Sequence, residues 1–239
     1  GPGRPYEGLV KSGPNGPGWT GLVALDEMAL ALPLRVNKTT TWFVDSMGDL
    51  FYEGVPQEWI EKVFDVMGRC RQHTFIVLTK RAERMMSFMQ ASTPGYVRQN
   101  IWLGVSVEDQ QRADQRIPLL RQTPAAVRFL SVEPLLEQVD LCLLPGAEVS
   151  GEEGASRGIH WVICGGESGP GARPMHPEWV RSLRDQCAEA QVPFFFKQWG
   201  GVRKKEAGRL LDGRTWDEMP GGRAAPKQKS VHLPIMGAS

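Results

Sequence analysis

The sequence predicts an α/β fold, a partial (βα) barrel of about six parallel strands with a C-terminal hairpin and tail. Three observations carry this. Six apolar, β-rich runs recur: Thr41-Trp-Phe-Val, Thr74-Phe-Ile-Val-Leu, Ile101-Trp-Leu-Gly-Val, Val127-Arg-Phe-Leu, Trp161-Val-Ile-Cys and Val192-Pro-Phe-Phe-Phe. Their starts are spaced by roughly 30 residues, the length of a β-α-β unit. The runs are near-continuously apolar rather than alternating, which is the pattern of parallel strands covered on both faces.

The chain begins with Gly/Pro punctuation, and the stretch from Trp19 to Pro33 reads as a short strand or turn leading into a brief helix. After the first apolar run, Pro56 suits the first turn of a helix that puts Trp59, Ile60, Val63, Phe64 and Met67 on one stripe. Met85, Met86 and Met89 form a core-facing stripe after Lys80-Arg81. Pro177 opens a helix with Trp179, Val180, Leu183 and Cys187 on its apolar side. Residues 146–158, rich in Gly, Glu and Ser, read as an exposed loop. Asp212-Gly213, between Leu211 and Arg214, is a two-residue hairpin signal. Residues 1–220 are therefore expected to form a single domain, with 221–239 as a flexible tail.

Composition limits the function. A net charge of +1 over 239 residues, with 41% hydrophobic residues, argues against a general electrostatic grip on nucleic acid or an anionic membrane, though not against a local basic patch. No apolar run approaches the roughly 18 residues that span a bilayer, so a soluble, cytoplasmic protein without a membrane partner is expected. Cys70, Cys142, Cys164 and Cys187 are far apart, without metal-ligand or redox spacing, and read as reduced thiols. His73 and His160 precede their strands and read as structural, whereas His176 follows the Gly-Gly-Glu loop and is placed to reach a site there. No nucleophile elbow, Walker loop or dinucleotide glycine pattern occurs.

If the strands are parallel, the residues after each run gather at one rim, where parallel α/β folds place their sites. Those residues are Asp45, Ser46 and Asp49; Thr79, Lys80 and Arg81; Ser106 and Glu108; Ser131 and Glu133; Glu167 and Ser168; and Lys197 and Gln198. Glu133 and Lys197 stand out, because each is a charge inside apolar sequence that must be paired, neutralised or bound to a ligand. Acids alternating with Lys and Arg at one mouth suit a zwitterionic or phosphorylated small molecule, or a metal ion held by Asp and Glu. Asp45, Asp49, Lys80, Glu133 and Lys197 are the candidate catalytic residues. In the loop after Trp161-Val-Ile-Cys, Gly165 and Gly166 allow close backbone approach, and Glu167 can accept from an ammonium group.

Seven stretches together resemble a family of uncharacterised phage and bacterial proteins related to the radical S-adenosylmethionine (radical SAM) enzymes. They are Val44-Asp-Ser-Met-Gly-Asp-Leu-Phe51, Val77-Leu-Thr-Lys-Arg81, Trp102-Leu-Gly-Val-Ser-Val-Glu108, Ser131-Val-Glu-Pro-Leu135, Cys164-Gly-Gly-Glu-Ser-Gly-Pro-Gly171, Phe196-Lys-Gln-Trp-Gly200 and Leu211-Asp-Gly-Arg-Thr-Trp216. The resemblance runs from about Trp19 to about Pro220. It implies a radical-SAM-like, TIM-barrel-related partial barrel, S-adenosylmethionine as cofactor, and a 4Fe–4S cluster on an N-terminal three-cysteine motif. This chain has no such motif, so no cluster is expected on it; either the sequence begins after the family's cluster loop, the preferred expectation, or the chain is a clusterless relative. Gly165-Gly-Glu167 is similar to the Gly-Gly-Glu that contacts the cofactor's amino group in radical SAM enzymes, although there it follows an early strand.

Cofactor binding is accordingly expected from the rim residues Ser106, Glu108, Ser131, Gly165, Gly166, Glu167 and Ser168, and no metal is expected on the rim carboxylates because Lys80, Arg81 and Lys197 offset their charge. The resemblance also implies radical chemistry on a nucleic acid or nucleotide when the enzyme is complete, and the basic tail after Gly200 offers a place for a protein partner. Two other classes stay open. One is a carboxylate-metal hydrolase or nuclease using Asp45, Asp49, Glu108, Glu133 and Glu167 around Mg²⁺ or Mn²⁺; the other is a non-catalytic binding module.

Overall fold

A computed structural model describes residues 10–13, 16–44, 48–92, 95–143, 158–203, 206–222 and 235–236. Its elements run β1 (Val10–Gly13), β2 (Gly16–Trp19), β3 (Ala24–Leu25), α1 (Glu27–Leu30), α2 (Leu32–Arg35), β4 (Thr41–Val44) and α3 (Gln57–Arg69). Then come β5 (Thr74–Thr79), α4 (Ala82–Ala91), β6 (Ile101–Ser106), α5 (Gln110–Gln122), β7 (Val127–Val132), β8 (Trp161–Gly165), α6 (Pro177–Glu189), β9 (Phe194–Gln198) and β10 (Ile235–Met236). Strands β4 to β9 form one sheet in sequence order, every pair parallel, curled into a half-barrel. The six apolar runs are these six strands. β1 and β2 pair antiparallel, and β10 pairs antiparallel with β3.

The strands bury both faces, and side-chain alternation sorts them into two clusters. Trp42, Val44, Phe75, Val77, Leu103, Val105, Leu130, Val132, Val162, Cys164, Phe194 and Phe196 point into the larger cluster, with the helices. There α3 contributes Ile60, Val63, Phe64 and Met67, α4 Met85, Phe88 and Met89, and α6 Val180, Leu183 and Cys187. On the concave face Ile76, Trp102, Val127, Phe129, Trp161, Ile163 and Met219 form a second, aromatic-rich floor. Trp161 meets Trp102 edge-on, with ring centroids 5.8 Å apart. Gly104 in β6 leaves room for Phe129, whose ring would lie 2.5 Å from any Cβ placed there.

The helix starts follow local chemistry. Asp109 caps α5, its Oδ1 accepting from Arg112 N (2.8 Å). Pro56 precedes α3 and Pro177 opens α6, where a missing N–H costs nothing. His176 caps α6, its Nδ1 accepting from Glu178 N at 3.4 Å. His73 and His160 are buried at the opposite rim, accepting from Thr40 N and Arg128 N.

Two features differ from the simple alternation. The β7–β8 connection carries no helix among its described residues, and most of the loop expected at 146–158 lies outside them. β9 starts at Phe194 rather than Val192, because Pro193 has no N–H to give to a ladder, although its carbonyl still accepts from Val162 N (3.0 Å). Beyond β9, Asp212 (φ 52°) and Gly213 (φ 81°) make the two-residue turn between the bridged Leu211 and Arg214. The returning chain lies along the free side of β9, where Phe196 N donates to Trp216 O (2.9 Å). Among the described residues no helix is long and apolar enough to cross a membrane.

Candidate functional site

Lys80, Ser106, Glu108, Ser131, Glu133, Gly165 and Lys197 all follow the inward parity of the aromatic floor, so the concave face turns polar at its C-terminal rim. Two acids anchor that rim. Glu133, after β7, reaches across β8 to β9, where Lys197 Nζ donates to its Oε2 (2.8 Å) and Gln198 Nε2 approaches its Oε1 (3.4 Å). The crossing depends on Gly165, because a Cβ there would come within 3.1 Å of Glu133 Cδ and Oε1. Gln198 Nε2 also donates to Ser168 Oγ (2.8 Å), which extends the network to the loop after β8.

Glu108, after β6, is the second anchor. Lys80 Nζ lies 3.1 Å from its Oε1 and Arg116 Nη1, from α5, 2.8 Å from its Oε2. Both acids are largely enclosed, with side chains 12% exposed for Glu108 and 20% for Glu133, whereas Lys80 and Lys197 keep 49% and 41%. Each acid is thus held inside and its lysine faces the mouth. Ser106 and Ser131 are adjacent in the β6–β7 register and buried between the two pairs.

Other rim residues are committed elsewhere. Asp49 is buried and enclosed by four donors: Thr79 Oγ1 (2.6 Å), Phe51 N (3.0 Å), Lys80 N (2.9 Å) and Arg81 Nη1 (3.2 Å). It ties the loop after β4 to the turn before α4. Asp45 and Ser46 lie outside the described residues. Glu167 is clasped by Arg173, whose Nε (2.8 Å) and Nη2 (2.9 Å) hold its two oxygens while the Arg173 backbone N–H also donates. Those hydrogen bonds lower its carboxyl from the ordinary 4.5 to about 2. His176 serves the α6 cap.

The two glycines of the Gly-Gly-Glu loop have separate tasks. Gly165 makes room for Glu133. Gly166 faces the backbone beyond β9, where an added Cβ would lie 1.9 Å from Trp199 O; Gly200 reciprocates, 2.1 Å from Glu167 O. The close approach that Gly166 permits is thus between two segments of this chain.

Two residues of the site, Arg116 and Arg84, were not singled out from the sequence. Arg116 lies two turns into α5, eight residues beyond the Glu108 it holds, a spacing that only the fold converts into contact. Arg173, the guanidinium of the loop after β8, lies six residues past Glu167 across a Gly/Pro turn, a spacing legible in the sequence. Arg84 donates to the carbonyls of Phe51, Tyr52 and Val55 and clamps the loop that carries Asp49.

The cysteines do not fit a 4Fe–4S cluster, which needs clustered thiolates. Cys70, Cys164 and Cys187 are buried and Cys142 is exposed. Burial pushes the first three thiols up, Cys164 well above its ordinary value. Among the described residues no group of three His, Cys, Asp or Glu side chains could hold a metal ion. The rim does fit a small zwitterion: Glu133 and Glu108 can accept from an ammonium group, and Lys197, Lys80 and Arg116 can donate to a carboxylate.

No match to the chain was found among curated proteins or solved structures. The family model described as Protein of unknown function (DUF5131) matches residues 10–220, and the chain belongs to that family.

Proposed function

We propose that the C-terminal rim of the half-barrel binds a small zwitterionic cofactor of the S-adenosylmethionine type. In this reading the chain is the barrel part of a radical SAM-related phage-type enzyme whose substrate is a nucleic acid or nucleotide. The observation that carries the binding step is the Glu133–Lys197 pair at 2.8 Å, standing on the concave face beside the Lys80–Glu108–Arg116 group. A ligand with an α-ammonium and an α-carboxylate can replace that internal pair like for like. Glu133 takes the ammonium, Lys197 the carboxylate, and no enclosed charge is left without a partner. The aromatic floor lies beneath these contacts and lowers the dielectric on their inner side.

The identity of the cofactor and the substrate class rest on the resemblance of the rim motifs to the radical SAM relatives. When bound beside a cluster, S-adenosylmethionine supplies radical chemistry. This chain's own residues supply binding and orientation, because its cysteines offer no cluster ligands.

Titration calorimetry with S-adenosylmethionine tests the reading. Wild-type protein is expected to bind saturably. Lys197→Met and Glu133→Gln should each weaken binding roughly 10- to 100-fold, the worth of one charge-assisted hydrogen bond. Absence of saturable binding to wild type, or unchanged affinity in both variants while they melt like wild type, overturns it.

A further inference from the structure

A groove of about 1070 Å³ runs between the turn that starts α4 and the side of α5, outside the concave mouth but touching it. Five cations line it, Lys80, Arg81, Arg84, Arg112 and Arg116, against two carboxylates, Glu53 and Glu83. Five cations against two acids give the lining an excess of positive charge in a chain whose net charge is +1. Most of these cations are fixed from behind. Asp49 and Glu53 hold Arg81, carbonyls of the preceding loop hold Arg84, and Glu108 holds Lys80 and Arg116. Even with Asp49 and Glu108 counted, the cations outnumber the acids. Arg112 is half-buried in the groove, and its guanidinium pairs with no acid among the described residues. Fixed guanidinium groups with free N–H edges are the arrangement that receives phosphate oxygens.

We propose that this groove binds the phosphate backbone of a nucleic-acid strand, an inference that rests on the substrate class of the reading above. Its lining decides for backbone over base. No aromatic ring lines it among the described residues, and its polar side chains, Ser87 and Gln115, add hydrogen bonding without a flat apolar surface for a base. Such a groove positions a strand without reading its sequence. Base stacking needs aromatic faces, which this chain places in the concave floor instead. The groove and the mouth are joined at Glu108, because Lys80 and Arg116 line the groove and hold that rim acid at once. A strand held by Arg112, Arg84 and Arg81 therefore passes beside Glu108, the rim acid that Lys80 and Arg116 share with the groove.

Fluorescence anisotropy with a labelled single-stranded oligodeoxythymidylate of about twelve residues, titrated at several salt concentrations, is the test. Wild type should bind with a negative slope of log K against log salt. Arg112→Ala should weaken binding several-fold and reduce the slope by about 0.7, one phosphate contact on a single strand. Gln115→Glu, an exposed change that puts a carboxylate into the groove, should weaken it as well.

Absence of binding by wild type at about 50 mM salt overturns the proposal, as does equal binding by wild type and both variants. Inorganic tripolyphosphate that competes as strongly as the oligonucleotide assigns the groove to a free polyphosphate and likewise overturns it. Calorimetry with S-adenosylmethionine on the same proteins keeps the two readings apart. Cofactor binding without strand binding sinks the groove alone, and strand binding without cofactor binding sinks the rim reading alone.

Discussion

Gly166→Ala should cost the protein about 2–7 kcal/mol of stability. The new Cβ would lie 1.9 Å from Trp199 O and 2.7 Å from the Trp199 carbonyl carbon. An ordinary contact needs well over 3 Å, so the segments after β8 and β9 must part by more than an ångström; a backbone carbonyl cannot rotate aside as a side chain does. Three hydrogen bonds hold those segments together: Gly166 N to Gln198 O (2.9 Å), Gly201 N to Glu167 O (2.7 Å) and Gly169 N to Gly201 O (3.1 Å). Losing two or three of them costs about 0.5–1.5 kcal/mol each. Residual overpacking adds about 1–3 kcal/mol. At about 2–4 °C per kcal/mol for a domain of this size, the sum is a drop in melting temperature of roughly 4–28 °C. Gly171→Ala is the comparator, since Gly171 has φ +79° but open space at its Cβ position, and its replacement should cost about 1–2 kcal/mol of backbone strain. Urea and thermal unfolding of both variants measure the difference. If Gly166→Ala proves no less stable than Gly171→Ala, the close approach assigned to Gly166 is wrong.

Two further outcomes are expected. The Glu167 carboxyl sits at about 2 in the folded chain against an ordinary 4.5, so the stability it adds is present above about 4.5 and is lost as pH falls towards 2. The melting-temperature difference between wild type and Glu167→Gln should shrink across that window, and a difference that stays constant through it refutes the Arg173 clasp. In a thiol titration of native protein, Cys142 should react while the buried Cys70, Cys164 and Cys187 wait for denaturant; fast native reaction of all four contradicts the burial.

The strands were legible because their apolar runs are nearly unbroken, and the rim was legible through parity. Lys197 stands two residues after the inward Phe195, Glu133 four after Phe129, Lys80 two after Leu78 and Glu108 six after Trp102, all even steps on extended chain. Alternation along a strand is local, so sequence carries it. Partnership across strands is not local. Nothing near Asp49 announces the Thr79 hydroxyl or the Arg81 guanidinium, thirty or more residues away, that enclose it. Gly166 reads as a ligand-facing glycine until Trp199 is placed against it, and Arg112 reads as an ordinary helix-surface cation until α4 supplies the other side of the groove.

The order of strands along the half-barrel is the order of strands along the chain. During synthesis, then, each new strand finds the one it must join already made, and no strand has to wait for a later one to open a gap. The sheet can extend in one direction as the chain emerges, with a single β-to-β connection closed at each step. The price of that simplicity falls on the rim. Glu133 is in place as soon as β7 docks, but its lysine arrives on β9, the last strand of the sheet, and β9 in turn is fastened by the hairpin around Asp212-Gly213. Until that final unit closes, the acid at the centre of the proposed site faces the mouth without the lysine that completes its pair.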